Sequence, residues 1–114
     1  MKENQNTLIS FHLFSAIVDF DLCILGVEFG FIPETNGIPL VVDMSSNIMT
    51  RNVDIEKFAC VVAGAQKNLG PAGVTMVIVR EDMIGKEQSI CPSIWSFKKQ
   101  AVAESRLNTP PCYR

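Results

Sequence analysis

Three short, unbroken apolar runs constrain what this chain can fold into more than any other feature. They are Ile38-Pro39-Leu40-Val41-Val42, Ala59-Cys60-Val61-Val62-Ala63-Gly64 and Val74-Thr75-Met76-Val77-Ile78-Val79. Each is of strand length, rich in β-branched residues, and lacks the polar alternation of a half-solvated strand. The first suits a strand buried on both faces of a parallel sheet, the second reads as another buried strand, and the third follows a Gly-Pro-Ala-Gly turn. Residues 27–32 alternate instead and predict a short strand ended by Pro33. Glu34-Thr35-Asn36-Gly37 predicts a turn, because Asn-Gly accepts positive φ. A short helix is expected over residues 54–58. A helical turn is expected over 81–86, where acidic residues lead and Lys86 trails. Near the start, residues 8–18 are apolar on nearly every side and are read as helix. After Pro92 the pattern weakens.

The sum is an α/β fold with a strand-rich middle and a mostly parallel sheet. So few crossover helices cannot cover both faces of such a sheet, so the domain is expected to be incomplete. At 114 residues the chain is one domain at most, and its 47% hydrophobic content argues for a packed interior rather than disorder. Residues 1–25 read differently from 26–114, where the punctuation is clearer.

Charge and punctuation narrow the function. A net charge of −2 without a Lys/Arg cluster gives nucleic acid no electrostatic footprint. The longest apolar stretch is too short and too polar for a membrane span, and it lacks the flanks of a signal peptide. An intracellular, cytoplasmic protein is expected. Cys23, Cys60, Cys91 and Cys112 are scattered without a CxxC pair, so neither a metal site nor a disulfide framework is expected. His12, the sole histidine, reads as an ordinary surface or partly buried residue.

The residues with chemical promise stand where apolar runs end. Asp43 closes one run, and Gln66-Lys67-Asn68 follows another in a loop between Gly64 and Gly70. In open α/β sheets ligands sit beyond the carboxyl ends of strands. A lysine there could act as a Schiff-base nucleophile, and an aspartate could pair with a protonated ring nitrogen. As chemistry alone, the pattern also suits a turn-forming aspartate and a solvated surface lysine.

The residue order adds more. Gly64-Ala65-Gln66-Lys67-Asn68-Leu69-Gly70-Pro71-Ala72-Gly73-Val74-Thr75 resembles the cofactor-lysine segment of phosphoserine aminotransferases. Val77-Ile78-Val79-Arg80-Glu81-Asp82 continues it. Gly26-Val27-Glu28-Phe29, Asp43-Met44-Ser45-Ser46-Asn47, Cys91-Pro92-Ser93 and Asn108-Thr109-Pro110-Pro111-Cys112 resemble the same family in the same order. The resemblance implies part of the large cofactor-binding domain of a fold-type-I, pyridoxal 5'-phosphate-dependent aminotransferase. The family is homodimeric and exchanges an amino group between glutamate and 3-phosphohydroxypyruvate, giving phosphoserine and 2-oxoglutarate in serine biosynthesis. By the resemblance, Lys67 would hold the cofactor covalently and move the proton of the 1,3-shift. Asp43 would pair with the ring nitrogen and Gln66 would touch the cofactor phosphate. Asn108 and Thr109 would reach the phosphate of the partner subunit's cofactor. Ser45 and Ser46 would shape the loop near the ring.

The chain also departs from the family. Asp21-Leu22-Cys23-Ile24-Leu25 stands where the family has an Asn-Glu-Thr element, with Cys23 in place of a ring-contacting threonine. Glu104 and Arg106 add charge to a stretch richer in Gly, Asn and Ser in the family. The family's glycine-rich phosphate turn, its ring-stacking aromatic and its carboxylate-gripping arginine have no counterpart here. The expectation is therefore a truncated product, from a splice variant, a pseudogene or a partial gene model. By itself it would be inactive or a non-enzymatic fragment that associates with a full-length subunit.

Overall fold

The computed structural model describes residues 17–19, 21–22 and 27–108. Among these residues six strands occur in this order: β1 (Ile17–Asp19), β2 (Asp21–Leu22), β3 (Val27–Glu28), β4 (Val41–Asp43), β5 (Cys60–Gly64) and β6 (Thr75–Val79). Two short α-helices lie among the described residues, α1 (Ala65–Asn68) after β5 and α2 (Phe97–Val102) further on. The main sheet has the order β1-β4-β5-β6. β1 runs parallel to β4 and β4 parallel to β5, while β6 is antiparallel to β5. The sheet is thus mixed, parallel in two of its three pairings. β2 and β3 form a separate antiparallel pair.

The three apolar runs all become strands of the main sheet, with shifted edges. The first starts at Val41 because Pro39 has no N–H to give a ladder and Ile38 N–H instead closes the turn onto Thr35 O at 3.0 Å. Gly37 has φ +85° in that turn and Asn36 φ +50°, the conformation an Asn-Gly pair favours. Leu40 still contributes a carbonyl, accepting from Ala59 N–H at 2.7 Å.

Four expectations need correction. Ile17 and Val18, read as the end of a helix, lie in β1; residues 8–16 of that reading fall outside the described residues. The strand expected over 27–32 stops at Glu28. Beyond it, Arg51 Nη2 donates to Phe29 O at 3.3 Å and Arg51 Nε to Glu28 Oε1 at 2.6 Å, so a side chain takes the carbonyl a ladder would need. The short helix expected at 54–58 is a single 3-10 turn, Ile55–Lys57, while the helical turn expected over 81–86 is present and confined to Glu81–Met83. Asp54 caps the first by accepting from Glu56 N–H at 3.3 Å. Finally, α2 arises where the pattern looked weak. Ser96 Oγ accepts from Lys99 N–H at 3.2 Å, capping a helix with no apolar stripe buried enough to announce it.

The core lies on one face of the sheet. Leu40, Val42, Met44, Ile48, Phe58, Val61 and Ala63 are buried together, with Ile32, Val53, Leu69 and Met76 packed at the margin. The connection from β4 to β5, residues 44–59, folds over this face in place of a long crossover helix. It leaves an open cleft of about 610 Å³ between Met44, Ile48, Val53, Val61, Met76 and Ile78. The outer strand is less protected: Val77 is 44% and Ile78 38% exposed. No helix among the described residues is long and apolar enough to cross a membrane.

Candidate functional site

Parallel pairing of β4 with β5 places two functional segments on one edge. Asp43, the last residue of β4, stands opposite Val62, and the ladder is carried one step further by Met44 N–H donating to Val62 O at 2.8 Å. Two residues beyond Val62, β5 ends at Gly64 and α1 begins. The carboxyl ends of two adjacent parallel strands therefore hold Asp43 and the turn that carries Gln66 and Lys67.

The backbone of α1 is pinned at both ends. Ala65 N–H donates to Val74 O at 2.9 Å, on the chain entering β6. Leu69 N–H and Gly70 N–H both donate to Ala65 O, at 3.0 and 2.7 Å. Asn68 Nδ2 donates to Ile48 O at 2.5 Å and ties the turn to the β4–β5 connection. Lys67, expected in a loop, thus sits in a short helical turn. Ala65 and Gln66 favour that conformation, and Gly64 as its N-cap adopts φ −66° and ψ 125°. Ala65 is buried, whereas Gln66 and Lys67 are exposed at the edge.

Gly64 matters here for space rather than for backbone freedom. A Cβ at this position would lie 2.9 Å from Gln66 Oε1 and 3.2 Å from Gln66 Nε2. The Gln66 carboxamide is folded closely over the glycine.

Asp43 is held from its own strand end. Ser45 N–H donates to Asp43 Oδ1 at 2.8 Å, and Ser45 Oγ lies 2.5 Å from the same oxygen. Ser45 Oγ is also 2.9 Å from Gly64 N, which donates to it. Ser45 is buried at 8% exposure, so one hydroxyl links the ends of both strands. The Asp-x-Ser spacing carries a local signal for the first two bonds, since such side chains cap their own backbone two residues on. The bond from Gly64 joins residues far apart in sequence and has no such signal.

Of the residues singled out from the sequence, the structure brings Asp43, Gln66 and Lys67 to one edge. Asn108 is exposed past the end of α2. Thr109 lies outside the described residues, as do Cys23, Cys112 and His12. Cys60 and Cys91 are free thiols. Burial within β5 pushes the Cys60 thiol pKa up, which keeps it protonated and inert.

An exposed amine and a carboxylate anchored through one oxygen, on adjacent strand ends, form a defined donor set. The amine can attack a carbonyl carbon, and the carboxylate can accept a proton-bearing heteroaromatic nitrogen.

Comparison with known proteins identifies the frame that carries this edge. The family model Aminotransferase class-V matches residues 27–112. The chain belongs to the class-V aminotransferase family. Within it, the phosphoserine aminotransferase of Janthinobacterium sp. (strain Marseille) is 57% identical over 88 residues, 77% of this chain and 24% of that protein. The phosphoserine aminotransferase of Drosophila melanogaster is 55% identical over 89 residues, again 77% of this chain and 24% of that protein. Among solved structures, the phosphoserine aminotransferase of Bacillus circulans subsp. alkalophilus superposes with a TM-score of 0.76 at 42% identity, covering 83% of this chain and 26% of that chain. The PLP-bound phosphoserine aminotransferase of Trichomonas vaginalis gives 0.75 at 37% identity over the same shares. The resemblance drawn from the sequence is borne out, and it is to a partial chain: these 114 residues span about a quarter of the length of the relatives they match.

Proposed function

We propose that this segment supplies the cofactor-lysine portion of a phosphoserine aminotransferase. The observation that carries the reading is the shared carboxyl edge of β4 and β5, where Asp43 and the Gln66-Lys67 turn stand side by side on parallel strands. The donor set suits pyridoxal 5'-phosphate: a primary amine for its aldehyde, a carboxylate for its ring nitrogen and a carboxamide over a glycine for its phosphate. When bound, the cofactor supplies an electron sink for labilising the bond to the amino-bearing carbon. In this reading Lys67 holds the cofactor and carries the proton between the two carbons that exchange it. Asp43 keeps the ring nitrogen protonated through its carboxylate. Gln66 donates to the phosphate, while Asn108 and Thr109 serve the cofactor phosphate of a second subunit in a homodimer. The substrates are phosphoserine and glutamate with their keto-acid partners.

Transamination needs substrate and cofactor held together in reacting geometry. Binding groups from two adjacent strand ends do not provide that for a substrate. The 114 residues by themselves are therefore proposed to be inactive as a transaminase. The exposed edge strand β6, with Val77 on one face and Ile78 on the other both partly open, favours a second reading of the isolated polypeptide as a non-enzymatic fragment that associates with a longer subunit.

The test is a graft. Residues 27–112 replace the matching segment of the Bacillus circulans enzyme, and phosphoserine:2-oxoglutarate exchange is assayed. Turnover that vanishes with Lys67→Ala is expected. A folded graft with no turnover and no cofactor would contradict the proposal.

A further inference from the structure

We infer that Ser45 is the positioning residue of this edge, fixing the Asp43 carboxylate to the backbone entrance of the lysine turn. The inference rests on the reading of the edge as a pyridoxal phosphate site, and deepens it by assigning a role to a buried hydroxyl.

The direction of each hydrogen bond follows from donor inventory. A serine hydroxyl has one proton and two lone pairs, and a backbone N–H only donates. At 2.9 Å from Gly64 N, Ser45 Oγ must therefore accept. Its single proton is left for Asp43 Oδ1, 2.5 Å away. Ser45 N–H adds a second donor to the same oxygen at 2.8 Å. Two donors from one residue on one oxygen hold the carboxylate against rotation, and Oδ2 receives neither of them. That leaves Oδ2 for an external donor, the role a protonated ring nitrogen fills.

The second half of the link sets distance. Gly64 is the N-cap of α1, and Lys67 follows three positions later in that turn. Carboxylate, hydroxyl, Gly64 amide and lysine turn thus form one continuous path across two strands. A shift of either strand end would be felt at the other. Misplacement of reacting groups by about an ångström is enough to impair catalysis a hundredfold. Ser45 is buried, so water cannot readily take over its two bonds.

A role confined to holding β4 and β5 together would predict loss of stability and nothing else. The experiment separates the two. Ser45→Ala, Ser45→Thr and Asp43→Asn are made in the full chain and, in parallel, in the grafted enzyme described above. Three quantities are read: the Kd for pyridoxal 5'-phosphate, the ¹⁵N shift of the ring nitrogen in labelled cofactor, and the melting temperature. Ser45→Ala is expected to weaken cofactor binding about tenfold and to move the ring ¹⁵N signal toward that of unprotonated pyridine, the direction Asp43→Asn takes fully. Ser45→Thr keeps the hydroxyl and is expected to restore both readouts. The positioning role is overturned if Ser45→Ala lowers the melting temperature yet leaves Kd and ¹⁵N shift unchanged, or if threonine rescues stability but neither cofactor readout. If the unsubstituted graft binds no cofactor at Lys67, the reading of the edge fails, and this inference falls with it. A graft that binds normally with an inert Ser45→Ala sinks the inference alone.

Discussion

β5 and β6 are neighbours of nearly equal apolar content, paired along five residues from Cys60↔Val79 to Gly64↔Thr75, yet they live in different environments. Cys60, Val61 and Ala63 of β5 are buried, while Thr75, Val77 and Ile78 of β6 are exposed. Across one rung, Val61 is 1% exposed and its partner Ile78 is 38%. The difference comes from what lies on either side. β5 has β4 as a parallel neighbour and residues 44–59 folded over its face. β6 is an edge strand with no strand paired to its second side among the described residues, and its Val77 is 44% exposed. An apolar run therefore announces a strand built to be buried, whereas burial itself depends on the layer that packs against it. The candidate site stands at the ends of β4 and β5, where buried strands give way to the exposed Asp43, Gln66 and Lys67.

The largest effect is expected from a charge in the protected strand. Val61→Asp would place an unpaired carboxylate in the core and destabilise the fold by several kcal/mol; loss of the cooperative unfolding transition by circular dichroism checks it. Retention of that transition would erase the distinction between the strands. The matching change on the outer strand, Val77→Lys, is expected to alter stability by less than about 0.5 kcal/mol and to reduce self-association, because it breaks an exposed apolar patch on an edge strand. Light scattering reads the outcome, and a destabilisation as large as that of Val61→Asp would mean that β6 is covered after all. Smallest in stability is Gly64→Ala. The backbone φ of −66° suits alanine, and the close atoms belong to the flexible end of Gln66. Melting should change by little, while cofactor affinity falls several-fold if the displaced Gln66 carboxamide serves the phosphate.

Much of the strand content was legible because three continuous apolar runs needed no long-range information to be recognised. Their edges were not, since Pro39 and the Ile38–Thr35 hydrogen bond decide where β4 begins. Residues 27–32 alternate like a strand, but Arg51 claims the Phe29 carbonyl from a distant part of the chain. α2 escaped notice because its face is mostly exposed, so no periodic burial marked it; only the Ser96 cap was written locally. At the site, the place of Asp43, Gln66 and Lys67 after apolar runs and the family resemblance both point to these residues. Ser45 was named with the same motif, but its bond from Gly64 is a product of strand register, which residue spacing does not contain. The flanking glycines suggest a loop for Lys67, but the helix formers Ala65 and Gln66 set a short helical turn there.

The pyridoxal phosphate site proposed for the β4–β5 edge depends on Lys67 above all. Titration of the purified chain with pyridoxal 5'-phosphate, followed by borohydride trapping and peptide mapping, tests it most directly. A saturable visible band, trapped at Lys67 and absent in Lys67→Ala, is the predicted result. Labelling spread over several lysines, unchanged by Lys67→Ala, would contradict it.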